Sequence, residues 1–504
     1  VVVDAHNGEI LEKFNALFDY VNGKGRVFDP DPGTYLNDAT LTDQNDADYA
    51  AIQPAYKDNV TLNDLNDSTI YGLYYVRGRY AWSMDVRLPY DAVSTAVHPD
   101  SFRYKRNQNG FEEVNVYYFV DKQRRYIGSL GFNPTWKYLG SGSQTMAFDA
   151  RGYDPWAGER NAVYYPVEEY MIFGVPASYV DAGEDQSVIL HEYGHAFHDA
   201  LMYGGTDAAS SGSDTRGISE GLAEYLGISY RRTTQSNPFR PNHRSIWFYP
   251  TAGESILSAS SAKYPAPPNG NWGSSPYEKM NVWASTMMEI EYNTATDPSA
   301  GVRLGRDMTT TLLLTSLNYV TSSSNAIDNV NAIFQADRDI YNGSHLSTLA
   351  TVFYNRGFFY NNEVSGTIAS NTTWSGNKYV TGNVTVNSGV TLIISQNTFL
   401  FFASGTSLTV NGTLTANGTS VNHITFDRRG TTGTWGSIKF DGTGASSSIL
   451  NNVEVFNSTN IQILNDANII VENSKIQDCT QGIYIYNSSP QILNNQILNP
   501  SQHG

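Results

Sequence analysis

The sequence predicts an α+β chain in two parts: a mixed segment reaching to residue 360, then an all-β right-handed parallel β-helix over 366–504. Three observations predict it. An H-E-x-x-H run lies inside an apolar, proline-free stretch at 188–198. Near residue 366 the composition turns abruptly to Asn, Thr, Ser, Gly, Val and Ile in short alternating runs. Beyond that point similar runs return every 21 or 22 residues.

Length and charge bound the class. At 504 residues two to four domains are expected. A formal charge of −17 disfavours nucleic acid or an anionic membrane as partner. Charged residues make up only 16%, while Gly, Ser, Thr, Asn and Tyr are plentiful, a mixture suited to a secreted or cell-surface β-rich protein. The single cysteine, Cys479, excludes an internal disulfide framework and a cysteine zinc site. No apolar run approaches membrane-spanning length, and no signal-peptide pattern opens the chain.

Along the chain, Val1 to Leu11 reads as strand, turn and strand, so an N-terminal piece is expected to have been removed. The region 25–110 is irregular, with strands around 77–88 and turns at Asp29-Pro30-Asp31-Pro32. Its acids Asp43, Asp46 and Asp48 suit a solvated loop or, as the alternative, a Ca²⁺ site. Asn115 to Phe132 carries aromatics at helical spacing, which assigns them to a core.

The chemistry centres on Val188 to His198. His191 and His195, four apart, project from one helix face and can grip one Zn²⁺. Glu192 lies about 100° round the helix, placed to take a proton from a metal-activated water rather than to ligate. Hydrolytic zinc keeps three protein ligands. A continuation to H-x-x-G-x-x-H fails, because the positions hold His198 and Leu201. A second helix over 218–226 instead offers Glu220 and Glu224 on one face, one to ligate and the other to reach a histidine N–H. Embedded among Ile218, Leu222, Ala223 and Leu226, such a half-buried pair needs cations or donors nearby. Helical stripes follow from 277 to 358.

In 366–504 the asparagines Asn451, Asn473 and Asn494 close similar runs at intervals of 22 and 21 residues, and Ile461-Gln462-Ile463 returns as Ile483-Tyr484-Ile485. Coils with short strands and inward apolar residues describe the β-helix, its asparagines being stacked ladders or turns. Its repeat is still running at Gly504, so the natural protein is expected to continue.

His191-Glu192-x-x-His195 followed by Glu220-x-x-x-Glu224 resembles the gluzincin metallopeptidases of the thermolysin and fungalysin families. The resemblance covers residues 1–358 and is strongest at the metal motifs. It implies a two-lobed peptidase, divided into a 21–185 β-rich lobe and a 186–360 helical lobe, with zinc on His191, His195 and Glu220. Those families usually carry Asp where this chain has Glu224, which lengthens the arm to the ligand histidine by one carbon. It implies that residues 1–20 are a propeptide remnant, and that Asn161 and Ala162 hold the substrate backbone, with Val163 where an aromatic usually falls. The family's oxyanion histidine maps without gaps onto Tyr277, ahead of Val282-Trp283-Ala284; Tyr203 is a second candidate donor. The expected function is thus a secreted zinc endopeptidase acting on peptides or proteins. The alternative is a surface adhesin or carbohydrate-binding protein that contacts a cell surface or polysaccharide through its β-helix, against which the intact Glu192 argues. A β-helix polysaccharide enzyme would demand a cluster of Asp, Lys or Arg on one coil face.

Overall fold

The computed structural model describes residues 2–3, 10–12 and 20–502, apart from 68–71, 156–157, 177–178, 203–213, 235–246, 249–271, 273–274, 293–302, 359–361 and 431. The chain divides into two compact units, Val1–Ser261 with Gly273–Asn325, and Ala262–Trp272 with Ala326–Gly504.

The first unit opens with β1 (Val2–Val3) paired antiparallel to β2 (Ile10–Glu12). β3 (Tyr20–Phe28) pairs antiparallel with β4 (Tyr56–Asn66). Between them lies the short α1 (Pro32–Leu36), capped by Asp31. β5 (Tyr74–Tyr75), β6 (Ala81–Ser83) and β7 (Thr95–Ala96) follow. The aromatic-rich stretch forms α2 (Gly110–Ser129), which buries Phe111, Val114, Phe119, Val120 and Ile127. β8 (Met146–Asp149), β9 (Ala162–Tyr165) and β10 (Tyr170–Phe173) join β6 in a four-stranded sheet of order β6-β8-β10-β9. That order leaves β9 at the edge.

Four helices complete the unit: α3 (Gln186–Leu201), α4 (Asp214–Thr234), α5 (Pro276–Glu291) and α6 (Arg306–Ser316). Asp185 caps α3 by accepting the Ser187 N–H at 2.8 Å. Ser275 and Glu278 form a capping box on α5, with Pro276 in the first turn. Among the described residues no helix is long and apolar enough to cross a membrane.

In the second unit, α7 (Ala326–Tyr341) and α8 (Leu346–Asn355) precede a large sheet of parallel strands. Its rungs stack like on like: Leu408 beside Ile438, Ile438 beside Ile461, Ile461 beside Ile483. A six-stranded parallel sheet does the same with Leu392 beside Leu414, and with Ala416, Leu450 and Val471 in a second column. The inward residues share one core, and each fully buried Ile or Leu contributes roughly 1.5–3 kcal/mol. Asn452, Asn473 and Asn494 take φ of 48°, 50° and 54° at the corners, a conformation asparagine tolerates better than most residues. The two helices belong to this unit through packing: the Phe334 ring lies 5.2 Å from both Phe399 and Phe401, and Arg338 meets Glu454 at 3.0 Å.

Candidate metal centre

The centre rests on how closely α3 and α4 approach. A Cβ built on Gly194 would stand 2.5 Å from the Ala223 backbone, so glycine at this position lets the helices touch. Beside that contact, the histidines of α3 meet the glutamates of α4. His191 Nε2 and His195 Nε2 lie 3.2 Å apart, and Glu220 Oε2 is 3.3 Å from the first and 3.5 Å from the second. A tetrahedral ion with bonds of about 2.0–2.1 Å sets its ligands about 3.3–3.4 Å apart. The triangle fits zinc. Among the described residues, these three form the group of His, Cys, Asp and Glu side chains gathered closely enough to hold a metal.

Each histidine is oriented through its other nitrogen. His191 Nδ1 meets Glu224 Oε2 at 3.1 Å, and His195 Nδ1 meets Ser219 Oγ at 2.9 Å. Such partners fix the tautomer and turn Nε2 toward the ion. The extra carbon of Glu224 therefore still reaches its histidine. Burial pulls the His191 pKa down, but hydrogen bonds donated to Glu220 and Glu224 and the charge of Glu192 outweigh it and lift the group to about 10. Burial would raise Glu220, yet the charges and hydrogen bonds of His195 and His191 hold its carboxyl far below the usual range. The cluster is arranged to hold positive charge. Metal uptake would release the histidine proton, so affinity weakens as pH is lowered. His198, one turn further along α3, is buried and lowered to about 3 by burial and then by His195.

Glu192 is 8% exposed, and its Oε2 accepts the Tyr164 N–H at 2.8 Å. That bond ties α3 to β9. In an antiparallel strand alternate residues point both backbone groups to the same side. The Asn161 carbonyl accepts the Gly174 N–H on the β10 side, while Tyr164 faces Glu192. By this alternation Ala162 presents its carbonyl on the open edge. Asn161, Ala162, His191, Glu192 and Tyr277 line one cleft of ≈ 180 Å³. Tyr277, in the first turn of α5, is 61% exposed there. Tyr203 lies outside the described residues.

The sequence reading missed Ser219, the Tyr164 N–H, and the cleft-lining Arg216, Phe248 and Met280. Arg216 alone carried a signal, standing one turn before Glu220 on the same helix face.

Residues 165–361 match the family model of the fungalysin metallopeptidases (M36). The matched segment holds both metal motifs and Tyr277, but not Asn161 or Ala162. It is a zinc metallopeptidase family, and the match supports a metallopeptidase. The solved structure of the precursor of protealysin, a metalloproteinase from Serratia proteamaculans, is similar at 10% identity and a TM-score of 0.38, over 55% of this chain and 86% of that one. No curated protein matches the sequence.

Proposed function

We propose that the chain is a zinc-dependent endopeptidase of the gluzincin type, acting outside the cell on extended peptide segments. The observation that carries this reading is the triangle of His191, His195 and Glu220 at 3.2–3.5 Å, on a cleft that also takes in Glu192 and the edge strand β9. His191, His195 and Glu220 would hold the zinc. When bound, zinc supplies Lewis-acid polarisation of a carbonyl and lowers the pKa of water.

The protein's own groups do the rest. A substrate adds as a further strand beside β9, with the Ala162 carbonyl and the Asn161 side chain holding its backbone. Glu192, with Oε2 engaged by Tyr164, keeps Oε1 for the water proton, which it then passes to the leaving amine. The Tyr277 hydroxyl, on the cleft rim, donates to the oxyanion. Glu224 and Ser219 hold the two imidazoles in register. The second unit takes the part of a right-handed parallel β-helix whose residues stay out of the chemistry.

Glu192→Gln tests the reading. The amide keeps the size but cannot accept the proton, so hydrolysis of casein should fall by about 10²–10⁴ or more while one zinc per chain is retained. Activity within about tenfold of the parent would place the base elsewhere.

A further inference from the structure

Buried acids in the first unit are, with two exceptions, given donors. Glu113 takes the Ser83 hydroxyl at 2.6 Å and the Ser94 N–H at 2.8 Å. Asp149 takes the N–H groups of Val86 and Arg87, both at 2.9 Å. Asp43 and Glu184 share the Arg106 guanidinium at 2.7 Å. The exceptions are Glu112, in the first turn of α2, and Asp181, at the start of the turn leading into α3. They are 0% and 1% exposed. Neither oxygen of either carboxylate has a hydrogen-bond partner, and among the described residues these are the only buried carboxylate oxygens so placed. Asp181 stands where an aspartate would cap the 3₁₀ turn Ala182–Glu184, and its side chain does not cap it.

The two carboxylates belong to one site. Arg151 Nη1 lies 3.4 Å from Glu112 Oε2 and 3.6 Å from Asp181 Oδ2, while its Nε is engaged by Asp91 at 3.0 Å. One guanidinium thus faces three acids and donates a hydrogen bond only to the outermost. Burial first, and then the neighbouring acids, raise both carboxyls well above the usual range against the pull of Arg151. A buried carboxylate without donors is a large cost, and a hard cation removes it.

The surroundings suit such an ion. A Cβ built on Gly183 would stand 3.0 Å from Glu112 Cβ, 3.2 Å from the Ala150 carbonyl oxygen and 3.4 Å from Val116 Cγ2, so glycine is what lets the turn pack this closely against the space beside Glu112 and the Ala150 carbonyl. Calcium takes 6–8 oxygens from carboxylates, carbonyls and waters. Two carboxylates supply up to four, and among the described residues no third acid side chain gathers closely enough to join them, which leaves the remainder to carbonyls and water. The acids of the 43–48 loop are otherwise engaged: Asp43 by Arg106, and Asp48 by Lys105 and the Tyr56 hydroxyl.

We propose that Glu112 and Asp181 bind a calcium ion that ties the start of α2 to the turn entering α3. This stands apart from the peptidase reading, because it is tested without activity. The zinc-loaded full chain, freed of calcium, is titrated with CaCl₂ by calorimetry. The expected result is one Ca²⁺ per chain with a Kd between about 10⁻⁶ and 10⁻³ M, at least about tenfold tighter than Mg²⁺, and a thermal midpoint that rises with CaCl₂. Glu112→Gln and Asp181→Asn should each weaken binding by about tenfold or more, with zinc content unchanged and Asp48→Asn within about twofold of the parent. Gly183→Ala, which crowds the same space without removing a charge, should also weaken it and serves if either carboxylate variant fails to fold. A parent that takes up no calcium, binding that survives these substitutions, or Mg²⁺ bound as tightly as Ca²⁺ would each overturn the assignment.

Discussion

In the second unit, Asn451 donates to Asn417 at 2.8 Å, Asn473 donates to Asn451 at 3.1 Å, and Asn494 to Asn473 at 3.5 Å. Around α3 and α4, by contrast, His191, His195 and Glu220 aim their ligand atoms at a common point, 3.2–3.5 Å from one another. A carboxamide carries donor and acceptor together, so a column of them closes on itself coil after coil. Imidazole and carboxylate edges converging on one spot are completed by a cation. The difference separates polar groups that build a fold from polar groups that wait for a guest, although both sets lie on regular, well-packed elements.

The largest effect should come from removing one corner of the triangle. Glu220→Ala leaves a two-ligand site and should lose most of its zinc, and all measurable peptidase activity with it. The asparagine column, being complete without an ion, should unfold at the same denaturant concentration with or without a chelator. Stoichiometric zinc in the purified variant, read by elemental analysis, would break the comparison.

That contrast was legible in the sequence wherever it depended on local spacing. Four-residue intervals in His191/His195 and Glu220/Glu224 place each pair on one helix face, and the intervals between Asn451, Asn473 and Asn494 match the return of the chain from one parallel strand to the next. What spacing cannot carry is long-range partnership. Ser219 and the Tyr164 N–H act on the site across 24 and 28 residues, and a backbone donor leaves no mark on composition. The loop acids Asp43 and Asp48 read as a solvated loop or, as the alternative, a Ca²⁺ site until Arg106 and Lys105, some sixty residues on, come to meet them. Glu112 sits just ahead of the stretch that reads as core helix, and only its burial beside Asp181 and Arg151 sets it apart. Likewise the helices α7 and α8 have ordinary apolar stripes; that Phe334 packs on Phe399 and Phe401 is a fact of the fold.

Tyr277 sharpens the comparison at the rim. It is an exposed member of the cleft lining, so its replacement disturbs no core. Tyr277→Phe should keep zinc and KM but lose about 10²–10³ in kcat, the usual loss for one oxyanion donor. An unchanged kcat would remove the hydroxyl from the chemistry and leave Tyr203 as the next tyrosine to test.

The smallest effect concerns stability, and it asks whether a lone carboxylate in the self-satisfied unit is a burden. Asp427 is 1% exposed within the coils, and its Oδ1 accepts from Asn457 Nδ2 at 2.8 Å and from the Arg428 N–H at 2.7 Å. Burial outweighs those two bonds and raises its pKa to about 7, against about 3.9 in an unfolded chain. Between those values the native state holds a proton that the unfolded state has released. Stability therefore declines as pH rises from about 4 to about 7 and stays reduced above that, by on the order of 2–4 kcal/mol. Asp427→Asn keeps an acceptor for both donors and cannot ionise. Its denaturant midpoint, followed by far-ultraviolet circular dichroism, should be flatter across that window than the parent's, and higher at pH 8. A pH profile identical in the two proteins would mean that Asp427 is ionised in the fold at no cost, and that carboxylates and carboxamides are equivalent inside the coils.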